Sequence, residues 1–169
     1  MASTNQDYVL WIGGGFVRSN LNTSGNQMSA AGCKWQHGLF SGTVSAGMKL
    51  RALTHFPAAP YPKGPLVAGP FPGCANEGTD TTVAHFLNLP KVRLWTLPHA
   101  YLKGCKRLIS AHGVPRAAVF YNIWKHTYGV FKHLHETLDV PCIVIAADYP
   151  DTTRYSHLFD RALDDARSE

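Results

Sequence analysis

Five short apolar runs constrain the fold of this chain more than any other feature of its sequence. Each run is almost uninterrupted and is bounded by turn-forming residues. Strands that are buried on both faces of a parallel sheet show this pattern, whereas strands with one wet face alternate apolar and polar residues. The runs therefore predict five strands: Tyr8–Ile12, Met48–Leu53, Val92–Leu97, Ala117–Tyr121 and Cys142–Ala147.

Helical periodicity separates several of these runs. Lys34–Ala46 and Thr127–Leu138 place apolar residues at helical spacing, and Gly47 is a suitable stop for the first helix. A third pattern, Asp151–Arg167, begins with residues typical of a helix start. Because strands alternate with helices, the sequence predicts an α/β fold: a doubly wound, mainly parallel Rossmann-like sheet of five or six strands with helices on both faces.

The stretch from residue 56 to residue 90 does not fit this alternation. It is rich in proline and glycine, and its sequence favours neither a helix nor a strand. A loop of this length in a compact domain is usually functional. We therefore expect one Rossmann-like domain over residues 1–169, in which residues 56–90 form a long excursion over the carboxyl edge of the sheet.

The first predicted strand ends in three consecutive glycines, Gly13, Gly14 and Gly15, and a polar loop follows until about residue 31. Ligands of open α/β sheets bind outside the carboxyl ends of the strands, and glycines there let the main chain approach a ligand closely. The loop is therefore expected to accommodate a bulky, phosphorylated ligand.

The chain lacks the sequence motifs of three common enzyme classes. Arg18 stands where the third glycine of a dinucleotide-binding loop belongs, and no acid ends the second predicted strand. The phosphate-binding GxxxxGK(S/T) loop of kinase-like NTPases and the GxSxG motif of serine hydrolases are absent too. These absences weigh against an oxidoreductase, a kinase-like NTPase and an esterase.

Basic residues dominate the body of the chain. Between Tyr8 and His135 there are thirteen Lys and Arg residues but only two acids, Glu77 and Asp80. This imbalance indicates a phosphate-bearing ligand, an anionic surface or an acidic partner, and a basic solvated surface without a partner stays an alternative.

The sequence has no pattern of a secreted or membrane-spanning protein. Its start lacks the basic and apolar regions of a signal peptide, and no apolar stretch approaches the roughly 20 residues of a membrane span. We therefore expect a cytoplasmic protein. Its four cysteines form no CxxC pair and are expected to be free thiols, and no residue pattern demands a metal.

Two stretches of the chain carry a resemblance to a known enzyme family. The first runs from Ala31-Gly32 through Ala46-Gly47 into "MKLRALTHFP", and the second is "PRAAVFYNIWKHTYGVFKHLHETLDVPCIVIAADYP", residues 115–150. Together they resemble the N-terminal, acceptor-side domain of GT-B-fold glycosyltransferases of the group 1, retaining type. The family has two adjacent glycines where this chain has Ala31-Gly32. Such enzymes also carry a second Rossmann-like domain that grips the nucleotide sugar.

The resemblance implies one half of a GT-B fold and an enzyme activity, which is sugar transfer from a nucleotide sugar to an acceptor small molecule or glycan. The isolated chain is expected to be inactive, because the donor-binding domain is missing. That domain, or a second copy of this chain, is the implied protein partner. The nucleotide sugar is a substrate, and the resemblance implies no cofactor, no metal and no nucleic acid. A membrane surface is compatible with the basic composition.

The resemblance also implies residues for the donor side of the site. Gly14, Gly15 and Gly32 are expected to bring the main chain close to the donor diphosphate, although turns and tight packing explain such glycines equally well. Lys34 is expected to add charge to that anion site, unless it is an ordinary exposed helix lysine.

Polar residues near the ends of predicted strands are the candidates for acceptor contact and catalysis. Asn122 and Asp148 follow two of these strands and are assigned catalytic roles, since polar groups there can meet the hydroxyls of an acceptor. Asp148 is equally suited to capping a helix beside Pro150. His99, at the end of the third predicted strand, is assigned to substrate binding, although an exposed histidine needs no such role.

Two functions other than a glycosyltransferase half remain open. One is a non-catalytic α/β binding module that uses its basic face on an anionic partner such as a nucleic acid or a membrane. The other is a small-molecule enzyme complete in this chain. It requires an acid–base pair, which only Asp148 with His99 or His126 offers.

Overall fold

The computed structural model describes residues 8–13, 30–69 and 80–146, and its centre is a sheet of five parallel strands. In chain order the strands are β1 (Tyr8–Ile12), β2 (Lys49–His55), β3 (Val67–Ala68), β4 (Asp80–Ala84), β5 (Phe86–Leu87), β6 (Ala117–Tyr121) and β7 (Cys142–Ile145). The sheet order is β4-β2-β1-β6-β7, and every neighbouring pair is parallel. This arrangement confirms the predicted doubly wound α/β fold, with β1 at its centre.

Three helices connect and cover these strands. They are α1 (Ala30–Ser45), α2 (Arg93–His112) and α3 (Lys125–Lys132), which continues as a π-helical stretch, His133–Thr137. The predicted helix over 34–46 is thus four residues longer at its start, and the predicted helix over 127–138 corresponds to α3 with its π-helical continuation. The predicted helix over 151–167 lies outside the described residues. In the described part of the chain, no helix is long and apolar enough to cross a membrane.

The central strand shows why both faces of the sheet need helices. Leu10 and Ile12 are buried in the cluster that α2 and α3 complete, whereas Trp11 lies in the cluster on the α1 side. There the rings of Trp11 and Phe40 meet edge to face, with 6.3 Å between their centroids. Since alternate residues of one strand enter two apolar clusters, β1 reads as a continuous apolar run.

The predicted strand Val92–Leu97 is wrong. Residues from Arg93 onward form α2, and the apolar side chains that begin this run, Leu94 and Trp95, are exposed. The buried residues of α2 recur at helical spacing instead: Leu97, Tyr101, Gly104, Cys105 and Leu108. These residues form an apolar stripe that packs one side of α2 against the sheet. The helical spacing of the stripe, rather than the short apolar run, determines the secondary structure of this segment.

The third strand of the sheet comes from the stretch in which the sequence favoured no regular element. β4 pairs with β2 at one edge of the sheet, where its residues are mostly only partly buried, so the strand needs no continuous apolar run. β3 and β5 pair with each other antiparallel, with Val67 opposite Leu87. The Phe86 ring of β5 lies 6.1 Å from the ring of His55, the last residue of β2. Part of residues 56–90 therefore lies beside the last residue of β2.

The described cysteines are protonated structural thiols rather than nucleophiles. Cys105 and Cys142 are free, which confirms the prediction for these two positions. Burial raises the pKa of each thiol to about 12, so neither is a thiolate at neutral pH.

Candidate functional site at the carboxyl edge of the sheet

The order of the strands defines a crevice at the carboxyl edge. From β1 the chain proceeds to β2 on one side, and from β6 it proceeds to β7 on the other, so the direction of winding changes between β1 and β6. In open α/β sheets, ligands bind at this switch point. Gly13 follows β1 at the crevice, Asn122 follows β6, and His55 ends the adjacent strand β2.

The main chain at Gly13 is closely packed. A Cβ atom at this position would lie 3.1 Å from the indole Nε1 of Trp11 and 3.1 Å from the Cβ of Tyr121, which is tighter than ordinary van der Waals contact. The amide of Gly13 donates to the carbonyl of Leu53 over 3.3 Å. Glycine is therefore suited to the end of β1, because a side chain there would narrow the crevice between β1 and β6.

A hydrogen-bonded chain connects His55 with Gly13 through a buried tyrosine of α2. The Nδ1 of His55 lies 2.7 Å from the hydroxyl of Tyr101, and that hydroxyl donates to the carbonyl of Gly13 over 3.2 Å. A phenol has one proton, so both contacts are satisfied when Nδ1–H of His55 donates to the Tyr101 oxygen. This assignment leaves the lone pair of the neutral His55 ring on Nε2.

A second histidine closes the cluster. His126 lies in the first turn of α3, and its ring centroid is 5.0 Å from that of His55 and 5.2 Å from that of Tyr101. The Nε2 of His126 is buried and has no hydrogen-bond partner among the described residues. Buried polar atoms are nearly always paired, so this nitrogen is a candidate for contact with a ligand or a bound water. We call His55, Tyr101 and His126 the edge cluster.

Burial holds the edge cluster in its neutral form. Burial first, and then the nearby charge of Arg93, lower the pKa of His55 to about 4. The pKa of His126 is lowered to about 3, by burial first and then by His55 and Arg93. Burial also raises the pKa of Tyr101. At neutral pH the cluster thus offers uncharged donors and acceptors, which suit hydroxyl groups better than anions.

Replacing Tyr101 with phenylalanine tests the hydrogen-bonded chain. We expect Tyr101→Phe to lower the free energy of unfolding by about 1 to 3 kcal/mol, because the buried Nδ1 of His55 loses its partner. Urea unfolding at pH 7 measures this loss. The matched control is Tyr128→Phe, in a partly buried tyrosine of α3, for which we expect a change within about 0.5 kcal/mol. Equal losses in the two variants would contradict the assigned bonds.

The structure places the sequence-predicted site residues in different surroundings. Asn122 lies at the carboxyl end of β6, is 6 % exposed, and has a φ of 58°, a left-handed conformation that asparagine tolerates better than most residues. Lys34 is exposed in the first turns of α1, and Gly32 precedes it in the same helix. Gly14, Gly15 and Asp148 lie outside the described residues.

His99 does not lie where the sequence placed it. It was expected at the end of a strand, but it is an exposed residue within α2, because the preceding apolar run belongs to that helix. The prediction that His99 lies at the carboxyl edge of the sheet, at the end of a strand, is therefore wrong. It lines a shallow groove on the outer side of α2 together with Trp95 and Lys103.

Sequence reasoning missed two members of the edge cluster. His55 is the last residue of β2, a position for which the sequence pattern indicates only that no acid is present, and Tyr101 lies on the helix that the apolar run concealed. A polar aromatic residue that ends a buried strand is the signal that could have identified His55. His126 was considered only as an acid–base partner of Asp148. Within the described ranges, no three His, Cys, Asp or Glu side chains are grouped so that they could hold a metal ion.

No protein-family model matches the chain, and neither a curated protein nor a solved structure is significantly similar to it. The resemblance to GT-B glycosyltransferases therefore rests on the quoted stretches of sequence alone.

Proposed function

We propose that this chain is the acceptor-side domain of a glycosyltransferase, which takes part in sugar transfer from a nucleotide sugar to an acceptor together with a donor-binding domain. The observation that carries the proposal is the crevice at the switch point, beside which the buried Nε2 of His126 has no hydrogen-bond partner among the described residues. The parallel sheet with β1 at its centre supports it as well, since one half of a GT-B fold is built on such a sheet.

The edge cluster suits an acceptor that carries hydroxyl groups. The neutral ring of His126 can exchange a hydrogen bond with a hydroxyl without the desolvation cost of a buried charge. The bond between Tyr101 and His55 orients the second ring, so that this part of the site is organised before a ligand binds. Asn122 adds a polar side chain from the opposite strand of the crevice.

The donor side of the proposed site uses the loop after β1 and the start of α1. In a retaining transfer the leaving diphosphate gains negative charge, which main-chain amides, helix N-termini and cations stabilise. Gly14, Gly15 and Gly32 would provide close approach of the main chain, and Lys34 would provide a cation. A donor-binding domain would supply the remaining contacts to the nucleotide sugar.

A reconstitution assay tests this proposal. The chain is mixed with, or fused to, the donor-binding domain of a GT-B glycosyltransferase and is assayed with panels of nucleotide sugars and glycan acceptors. We expect transfer by the combination and none by either domain alone. Turnover by the isolated monomeric chain would contradict the two-domain arrangement, and absence of acceptor binding would contradict the acceptor role.

Variants of the edge cluster locate the acceptor in that assay. We expect His126→Phe to raise the acceptor dissociation constant by about five- to tenfold, because one neutral hydrogen bond is lost. Tyr128→Phe, outside the cluster, should bind acceptor as the unmodified chain does. Equal affinities of the two variants would place the acceptor elsewhere.

The non-catalytic binding module stays the second candidate. The observation in its favour is the outer side of α2, where exposed Lys103, Lys106 and Arg107 follow one another without an acid. A module of this kind would bind an anionic partner with a steep dependence on salt and would give no transfer with any donor domain.

A further inference from the structure

A cluster of large apolar side chains is exposed where the β3–β5 pair meets the start of α2. Trp95 is 80 % exposed, Leu94 57 % and Val67 56 %, and Leu87 is 42 % exposed. Single exposed apolar residues are common on protein surfaces, whereas contiguous ones mark an interaction site. We call these four residues the β3/β5–α2 surface.

Contacts link the β3–β5 pair to the start of α2. Val67 and Leu87 are cross-strand partners, and the hydroxyl of Thr96 donates to the carbonyl of Leu87 over 3.0 Å. Leu87 and Trp95 line the same shallow groove, whose volume is about 570 Å³. The β3–β5 pair and the first turn of α2 therefore form one continuous surface.

Positive charge follows the apolar cluster along α2. His99 and Lys103 lie four and eight residues after Trp95, so the three share one side of the helix, and Lys106 continues it. Lys103 borders the groove that contains Trp95, and a second groove joins Lys103 to Lys106. The surface thus has an apolar end and a cationic end.

The described acids lie away from this surface or are already paired. Within residues 8–13, 30–69 and 80–146 they are Asp80, Glu136 and Asp139. Asp80 forms an ion pair with Arg51, and Glu136 lies 3.4 Å from Lys132. Asp139 precedes β7, at the amino edge of the sheet. The described part of the chain therefore leaves the cations of α2 available for an anionic partner.

We propose that the β3/β5–α2 surface docks on a bilayer that contains anionic lipids. Trp95, Leu94 and Leu87 enter the interfacial region, where an indole is well accommodated, and the lysines of α2 contact lipid phosphates. Nucleic acid would use the cations but would leave the exposed aliphatic side chains without a partner. The combination of an apolar end and a cationic end therefore favours a membrane surface.

Docking places the crevice close to the bilayer. Consecutive residues of β5 point in opposite directions: Phe86 is buried beside His55, whereas Leu87 lies in the exposed surface. Phe86, whose ring lies beside that of His55 in the edge cluster, is thus the chain neighbour of Leu87 in the docking surface. The docking proposal does not depend on sugar transfer, because it rests on exposure and charge alone.

Vesicle flotation of the full chain tests the proposal. The probes are vesicles of phosphatidylcholine alone and vesicles that also contain phosphatidylglycerol. We expect binding to the anionic vesicles that weakens as salt is added. We expect Trp95→Gln to weaken this binding about tenfold or more, because the largest interfacial side chain is lost. Each of Lys103→Gln and Lys106→Gln should weaken it about fivefold.

Matched variants on other surfaces are the controls. Trp35→Gln removes a half-exposed tryptophan of α1, on the opposite face of the sheet, and Lys49→Gln removes an exposed lysine at the start of β2. Both should bind anionic vesicles as the unmodified chain does, and circular dichroism should show all variants folded.

Several results would overturn the proposal. They are equal binding of Trp95→Gln and the unmodified chain, equal binding to neutral and anionic vesicles, and no binding at low salt. A dimer that Trp95→Gln dissociates, without any vesicle binding, would assign the surface to a second copy of the chain instead.

Discussion

Acidification is expected to destabilise this protein steeply between about pH 6.5 and pH 4. The pKa values of His55 and His126 are lowered to about 4 and about 3 in the folded chain, because His55 is buried and so is the Nε2 atom of His126. An unfolded histidine has a pKa near 6.5, so the unfolded chain takes up protons that the folded chain cannot. Above about pH 6.5 both states are neutral at these residues, and the full stability is present.

The expected decrease in the free energy of unfolding on acidification is large compared with the stability of a typical domain. Each histidine lowers the free energy of unfolding by about 1.4 kcal/mol for every pH unit below 6, and the two together by about 2.7 kcal/mol. Two units of acidification then remove about 5 kcal/mol, which is the entire stability of many domains. Urea unfolding followed by circular dichroism at several values between pH 7 and pH 4 measures the slope.

One variant separates the contributions of the two histidines to this pH dependence. His126→Phe removes a ring whose Nε2 has no partner among the described residues, so no described hydrogen bond is lost at that atom, and the slope should fall by about half. The control His37→Gln changes an exposed histidine of α1 and should leave the slope unaltered. If the unmodified chain is equally stable at pH 7 and pH 5, the edge cluster is not buried as described.

Truncation of the core at β6 is expected to have a similarly large effect. Phe120 is fully buried between β1 and β7, and its ring meets that of Phe131 edge to face at 5.6 Å. Phe120→Ala removes these contacts and leaves a cavity, which costs about 3 to 5 kcal/mol. Urea unfolding at pH 7 gives the difference directly.

The control for this truncation is an apolar residue of similar size at the surface. Leu94 is 57 % exposed on α2, so Leu94→Ala should change the free energy of unfolding by no more than about 0.5 kcal/mol. A small loss for Phe120→Ala would show that β6 is not the interior strand of the sheet, which would contradict the fold itself.

The sequence alone determined the fold class and the centre of the sheet. β1, β2 and β6 lie inside the sheet and are largely buried on both faces, so each of them appears in the sequence as an apolar run. β7 lies at an edge, where Ile143 is 56 % exposed, but its sequence is apolar as well. The positions of Gly13 and Asn122 at the carboxyl edge follow from the same runs. These predictions succeeded because each depends on residues that are adjacent in sequence.

The tertiary structure decided the third strand of the sheet and the members of the edge cluster. β4 lies at an edge and needs no apolar run, whereas the run at Val92–Leu97 starts a helix whose apolar stripe becomes clear only over five turns. Tyr101 meets His55 across 46 residues of chain. The lowered pKa values of both histidines come from burial by several elements at once, and no local pattern encodes the packing of distant segments.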